Sequence, residues 1–173
     1  TRLGAPLTGH TGPVWAMALD PAGQVLATAG EEGTVLLWNV TDPARPTRLG
    51  APLTGHTGAV TTVAFDPDGQ VLATAGVAGT VLLWDLADPA QPTPLEAPLT
   101  HRDEATAVAF FPGEHILVTA GTDDTVRLWD LSGLDAFRDQ PLERACSITG
   151  GGLDRAEWTG YILGFEYVNV CRP

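Results

Sequence analysis

The sequence predicts an all-β fold assembled from repeated small antiparallel sheets. Three observations carry this. First, residues 1–46 and 47–92 align without a gap and are identical at 34 of 46 positions, and a looser copy runs over 93–131. Second, Trp38, Trp84 and Trp129 keep the period, spaced 46 and 45 apart. Third, short apolar, β-branched runs recur between clusters of Pro, Asp and Gly. A fixed period of this length marks a repeat architecture. Four short strands per roughly 45 residues, with an edge strand last, describe a propeller blade.

The second copy shows the elements most clearly. Val60–Phe65 (VTTVAF) is β-branched and apolar, and reads as the first strand. Asp66-Pro-Asp-Gly69 supplies a tight turn. A second strand follows at Val71–Ala75, and after a glycine a third runs over Thr80–Leu86 (TVLLWDL). The fourth, Arg48–Thr54, contains Pro52, which removes a ladder hydrogen bond and confines this strand to a sheet edge. The Asp66 turn superficially resembles the start of a calcium loop but lacks the distant bidentate glutamate. The third copy has no fourth strand after it. Three four-stranded blades are therefore expected over residues 1–131, the third lacking its own outer strand.

The pairs Gly9-His10 and Trp38-Asn39, Gly55-His56 and Trp84-Asp85, and His101 and Trp129-Asp130 close this pattern at each end. With the recurring turn between them, they resemble the WD40 repeat. The resemblance covers about three quarters of the chain and implies a partial WD40 β-propeller. It also implies a buried network of one His, one Ser/Thr, one acid and the Trp in each blade. The matching residues are His10, Thr28, Glu32 and Trp38; His56, Thr74 and Trp84, with Ala78 where the acid should stand; and His101, Thr119, Asp123 and Trp129. Indole N–H only donates, a hydroxyl donates and accepts, and imidazole links it to a carboxylate. One such set per repeat is a structural signature rather than a catalytic or metal group, since metal ligands must converge in one coordination sphere. His115, on a turn where the other copies have Gln24 and Gln70, reads as solvated.

The first two copies differ at only 12 positions, and the differences cluster. Five fall in or just before the first strand: Pro13/Ala59, Trp15/Thr61, Ala16/Thr62, Met17/Val63 and Leu19/Phe65. Two fall between the second and third strands: Glu31/Val77 and Glu32/Ala78. The resemblance implies that these places open on one face of the propeller, where family members bind partners. The third copy places Glu104, Thr106 and Thr122 there. The candidate partner surface is thus Pro13, Trp15, Glu31, Ala59, Thr61, Val77, Glu104, Thr106 and Thr122. Trp15 is its best anchor, as aromatics dominate interface hot spots. Neutral drift after duplication is the competing account of the same changes.

Residues 132–173 read as a separate helical tail. Asp139–Ile148 has an N-cap, an early proline and apolar spacing, and Asp154-Arg-Ala-Glu157 resembles a capping box. Trp158 and Tyr161 lie three apart on one face and are expected to pack the tail on the last blade. The stretch from Glu143 to Cys171 resembles tails that follow WD40 arrays in bacterial signalling proteins carrying a STAND-type ATPase or Ser/Thr kinase domain. Cys146 and Cys171 could form a disulfide closing a 26-residue loop, or remain free thiols. A cytoplasmic location is the expectation, and an extracytoplasmic one follows if the two are joined.

Charge and composition exclude several classes. The chain of 173 residues carries a formal charge of −12, with 21 acids against 9 basic residues, all of them arginine. Such a surface repels phosphate, which argues against nucleic acid and anionic membrane partners. No stretch approaches a spanning helix. The chain starts at Thr1 with neither a start methionine nor a leader, so a preceding segment is expected. No nucleophile–base pair, phosphate loop or paired carboxylates emerge, so no enzyme and no cofactor is expected. The function expected is a protein-interaction or sensor module binding a protein or peptide, with another domain of the same polypeptide as one option. Two alternatives stand beside it. One is a homodimer closing a ring, each N-terminal strand (Arg2–Thr8) finishing the other copy's third blade. The other is a propeller gating an upstream ATPase or kinase.

Overall fold

In the computed structural model, which describes residues 3–132 apart from the side chains of residues 96 and 97, the strand-type runs form eleven strands. They are β1 (Val14–Leu19), β2 (Val25–Gly30), β3 (Val35–Asn39), β4 (Thr47–Leu53), β5 (Val60–Phe65), β6 (Val71–Gly76), β7 (Thr80–Asp85), β8 (Thr93–Thr100), β9 (Ala105–Phe110), β10 (Ile116–Gly121) and β11 (Val126–Asp130). Strands β1–β4 and β5–β8 make four-stranded antiparallel sheets in chain order, and β9–β11 make a three-stranded one. The third sheet has no outer strand among the described residues, as the sequence leads one to expect. Residues 3–8, within the expected strand at Arg2–Thr8, form no strand. The chain divides into two units, Thr1–Asp130 and Leu131–Pro173. The tail helices, the packing of Trp158 and Tyr161 and the pairing of Cys146 with Cys171 lie outside the described residues.

Each Asp-Pro-x-Gly turn is closed by its own aspartate. Asp20 Oδ1 accepts from the backbone N–H of Gln24 (2.6 Å) and Val25 (2.8 Å), and Asp66 Oδ1 accepts from Val71 N–H (2.8 Å). Gly23 and Gly69, at φ 70° and 72°, take the left-handed position that ends the turn. One oxygen of each carboxylate is thus held by the backbone of its own turn.

The sheets stack through their first strands, with β5 packed against both β1 and β9. The main core lies between the first two blades: Ala27, Ala29, Val35, Leu37 and Leu53 meet Val60, Val63, Leu72, Trp84 and Leu86. Gly33 and Gly79 sit where one blade's loop touches the next. A Cβ at Gly33 would lie 2.9 Å from the Gly58 carbonyl oxygen, and one at Gly79 would lie 2.4 Å from that of Asp103. The third blade carries Asp124 at this place, in the left-handed region at φ 58°.

Candidate functional site

The third blade shows how the four-residue network works. Trp129 Nε1–H donates to Thr119 Oγ1 (2.8 Å), which lies 2.7 Å from His101 Nε2. Once the hydroxyl oxygen has accepted from the indole, its proton goes to Nε2, leaving Nδ1–H to face a carboxylate. Asp123 stands there, with Oδ1 3.1 Å from Nδ1. Its oxygens are well supplied with donors: Oδ1 accepts from Thr125 Oγ1 (2.6 Å), and Oδ2 from Arg102 N–H (3.1 Å) and Arg127 Nη2 (3.0 Å). The Thr125 hydroxyl, followed by the bonds from His101 and the Arg102 and Thr125 amides, outweighs burial and holds the Asp123 carboxyl well below the usual carboxylate range.

The first blade repeats this with a longer acid. Trp38 Nε1–H donates to Thr28 Oγ1 (2.9 Å), which lies 2.8 Å from His10 Nε2, and His10 Nδ1 meets Glu32 Oε1. Thr34 Oγ1 donates to the same Oε1 (3.0 Å), while Glu32 Oε2 is buried without a partner. Burial alone would raise the Glu32 carboxyl; the bonds from His10, its own backbone and Thr34 win, and it lies below its ordinary value.

In the second blade Trp84 and His56 bind Thr74 Oγ1 at 3.0 and 2.8 Å, but Ala78 supplies no acid. Thr80 Oγ1 approaches His56 Nδ1 instead, at 3.3 Å. Burial without a carboxylate pushes the His56 imidazole down to about 4. Thr80 is a participant that the residue-type reasoning missed. The signal was present, since Thr34, Thr80 and Thr125 occupy the same place in each copy. Arg127 was missed as well. It replaces Leu36 and Leu82, whose Cδ1 atoms lie 3.1 Å from where a Cβ on Gly9 or Gly55 would stand. The third copy has Thr100 before its histidine, and Arg127 Nη1 donates to the Thr100 carbonyl. The arginine thus binds the backbone at the place where the other two copies have glycine.

The candidate partner surface is built at one end of the sheets. The backbone joins its members in pairs: Glu31 N–H to Pro13 O (3.0 Å), Val77 N–H to Ala59 O (3.1 Å) and Thr122 N–H to Glu104 O (2.9 Å). Between each pair the first strand carries a bulge. The registers skip from Val14 to Ala16, from Val60 to Thr62 and from Ala105 to Ala107, leaving Trp15, Thr61 and Thr106 as the extra residues. Trp15 is 59% exposed and Val77 45%. Thr61 Oγ1 reaches across to the Ala105 carbonyl of the next blade (3.2 Å), and Thr106 Oγ1 turns to Ala120 O (3.3 Å). His115 is exposed on its turn. Among the described residues no cluster of His, Cys, Asp and Glu could hold a metal ion, and no helix is long and apolar enough to cross a membrane.

Comparison with known families decides the lineage. The model of the WD domain, G-beta repeat, matches residues 2–39, 47–85 and 94–130. The chain belongs to the WD40 family. Among solved structures, the WD40 repeats of RRP9 superpose with a TM-score of 0.63 at 24% identity, covering 73% of this chain and 38% of that one; this is a likeness of fold. The curated relatives include a probable cytosolic iron-sulfur protein assembly protein, Ciao1, from Anopheles gambiae, 46% identical over 39 residues, 22% of this chain. They also include the NAD(+) hydrolase ApTIR of an Actinoplanes species, 46% identical over 46 residues, 27% of this chain. This chain spans only 11% and 6% of the lengths of those two proteins. WD40 domains in general serve as scaffolds for protein–protein interaction.

Proposed function

We propose that this chain is a non-catalytic WD40 interaction module of a larger bacterial signalling protein, recruiting a protein or peptide through the end of the sheets that carries Trp15. The observation that supports this most is the bulge series. Trp15, Thr61 and Thr106 each stand outside the strand register at the same end of successive blades, and Trp15 is the exposed aromatic among them. The His, Thr and Trp of each network bind one another within their blade, which is a structural use of these side chains. The overall charge of −12 favours a basic partner, more through the rate of encounter than through affinity.

The test is a selection from a displayed library of basic and neutral peptides, followed by hydrogen-exchange mapping. Binders should protect residues 13–16, 59–62 and 104–107, and Trp15→Ala should weaken them about tenfold or more, as for an aromatic hot spot. Protection confined to other strands, or binding indifferent to Trp15→Ala, would refute the reading. The match to a stretch of an NAD(+) hydrolase favours a second reading, in which the module gates a catalytic domain elsewhere in its polypeptide. Under that reading, Trp15→Ala changes the activity of the parent protein rather than its partners.

A further inference from the structure

Ala78 occupies the position of Glu32 and Asp123, yet the donors that serve those acids are kept around it. In the third blade Asp123 accepts from His101 Nδ1 (3.1 Å), the Thr125 hydroxyl (2.6 Å), the Thr125 amide (3.2 Å) and the Arg102 amide (3.1 Å). The counterparts in the second blade are His56, Thr80 and Thr57. Their arrangement is kept without an acid. His56 is fixed from its other edge, with Nε2 2.8 Å from Thr74 Oγ1, against 2.8 and 2.7 Å in the first and third blades. Thr80 Oγ1 stands 3.3 Å from His56 Nδ1, and Thr125 Oγ1 stands 3.5 Å from His101 Nδ1 while it binds Asp123. Ring and hydroxyl thus hold nearly the same spacing whether or not a carboxylate lies between them and solvent.

The place is open to solvent. His101, beside Asp123, is buried, whereas His56 is half-buried and Ala78 is exposed. Val77 forms an apolar lip, its Cγ2 lying 2.7 Å from where a Cβ on Gly58 would stand. The first copy carries two acids here, Glu31 and Glu32; the second has Val77 and Ala78, so its own loop sets no like charge against an anion. We propose that this notch binds a carboxylate from outside the blade, carried on a short apolar stem: a small aliphatic acid or the glutamate side chain of a partner. The His56 Nδ1–H, the Thr80 hydroxyl and the Thr57 amide donate to its two oxygens, and the stem leans on Val77. Hydrogen bonds to an ionised acceptor are about twice as strong as neutral ones. Donors already held in place cost little ordering on binding. The site lies wholly in the second blade, so it stands or falls independently of Trp15.

Thermal melts of the whole chain at neutral pH, in sodium propionate and in sodium chloride of equal ionic strength, test this. One carboxylate held by three donors is expected to bind with a dissociation constant of about 10 mM. Propionate at about 100 mM should then raise the Tm by about 3–6 °C over chloride. Ala78→Asp supplies the acid from within the blade, so the two salts should act alike on that variant. In NMR spectra of the wild-type chain, propionate should move the His56 ring resonances to saturation and leave those of His10 and His101 in place. A blocked Ala-Glu-Ala peptide separates the two sources of the carboxylate. Tighter binding than propionate assigns the notch to a partner's side chain, and equal or weaker binding assigns it to free acids. Equal melts of the wild-type chain in the two salts, a propionate shift that persists in Ala78→Asp, or unmoved His56 resonances would each overturn the proposal.

Discussion

Substituting Ala78 by aspartate should restore the missing acid of the second blade and stabilise the protein. The third blade supplies the geometry, with a carboxylate oxygen 3.1 Å from the histidine Nδ1. In the second blade that nitrogen has only the Thr80 hydroxyl, at 3.3 Å. A hydrogen bond to a charged group contributes about 1.5–3 kcal/mol. Ala78 is exposed, so a new carboxylate there loses little hydration. Weakening of the Thr80 contact offsets part of the gain, leaving about 1–2 kcal/mol, or roughly 3–6 °C in Tm for a chain of this size. The pH profile provides an independent check. His56 titrates at about 4 when folded against an ordinary 6.5. As pH falls through that window, the unfolded chain takes up a proton that the folded one refuses, so stability is lost from about 6.5 down to about 4. Undiscounted, this is worth about 3 kcal/mol, and partial exposure of the ring reduces it to about 2. The new carboxylate favours the imidazolium and should flatten that loss. Calorimetric melts of both proteins between pH 4 and 8 measure both effects. A lower Tm at pH 7, or an undiminished acid-side slope, would refute the reasoning.

Other substitutions probe the same architecture. Thr74→Val strands both Trp84 Nε1–H and His56 Nε2 at a fully buried position, and should cost about 2–4 kcal/mol by chemical denaturation. Glu32→Asp shortens the acid to the length used in the third blade and should remove the orphaned Oε2, raising stability by about 1 kcal/mol; an equal loss in melts would show that the longer reach is needed. Gly79→Ala should destabilise by well over 2 kcal/mol, because its Cβ meets the Asp103 carbonyl. Gly23→Ala, at almost the same φ but with nothing within 4 Å, should lose only about 1 kcal/mol from the left-handed backbone. Similar losses at the two glycines would mean that the blade joint gives way.

Much of the fold was legible because the repeat states each element two or three times. Val60–Phe65 came out with the bounds read from its sequence, β6 and β7 differ by a residue at one end, and β4 lies one residue earlier at both. The participants in the networks came from the resemblance to the WD40 repeat, carried over residue by residue, and the donor and acceptor capacities of Trp, Thr and His explain why those types are used. Thr80 escaped because a threonine next to a glycine in a strand-forming run reads as β-propensity, and only the empty place at Ala78 gives its hydroxyl a task. Arg127 escaped because its meaning lies in Thr100, 27 residues away. The bulges were hidden for another reason. An extra residue appears only when two strands are set in register, and no single strand records it.

Those bulges loosen a constraint that governs ordinary strands. In a regular ladder every residue is committed to one face, and altering one disturbs either the core or the neighbouring blade. Trp15, Thr61 and Thr106 are counted out of the ladder, so the side chain at that place can be indole, hydroxyl or anything between while Val14, Val60 and Ala105 keep their partners. The scaffold therefore carries, once per blade, a position outside the ladder, which Thr61 uses to bind the Ala105 carbonyl of the next blade and Trp15 leaves exposed. Exchanging the side chain at such a place leaves the flanking pairs of the sheet in register.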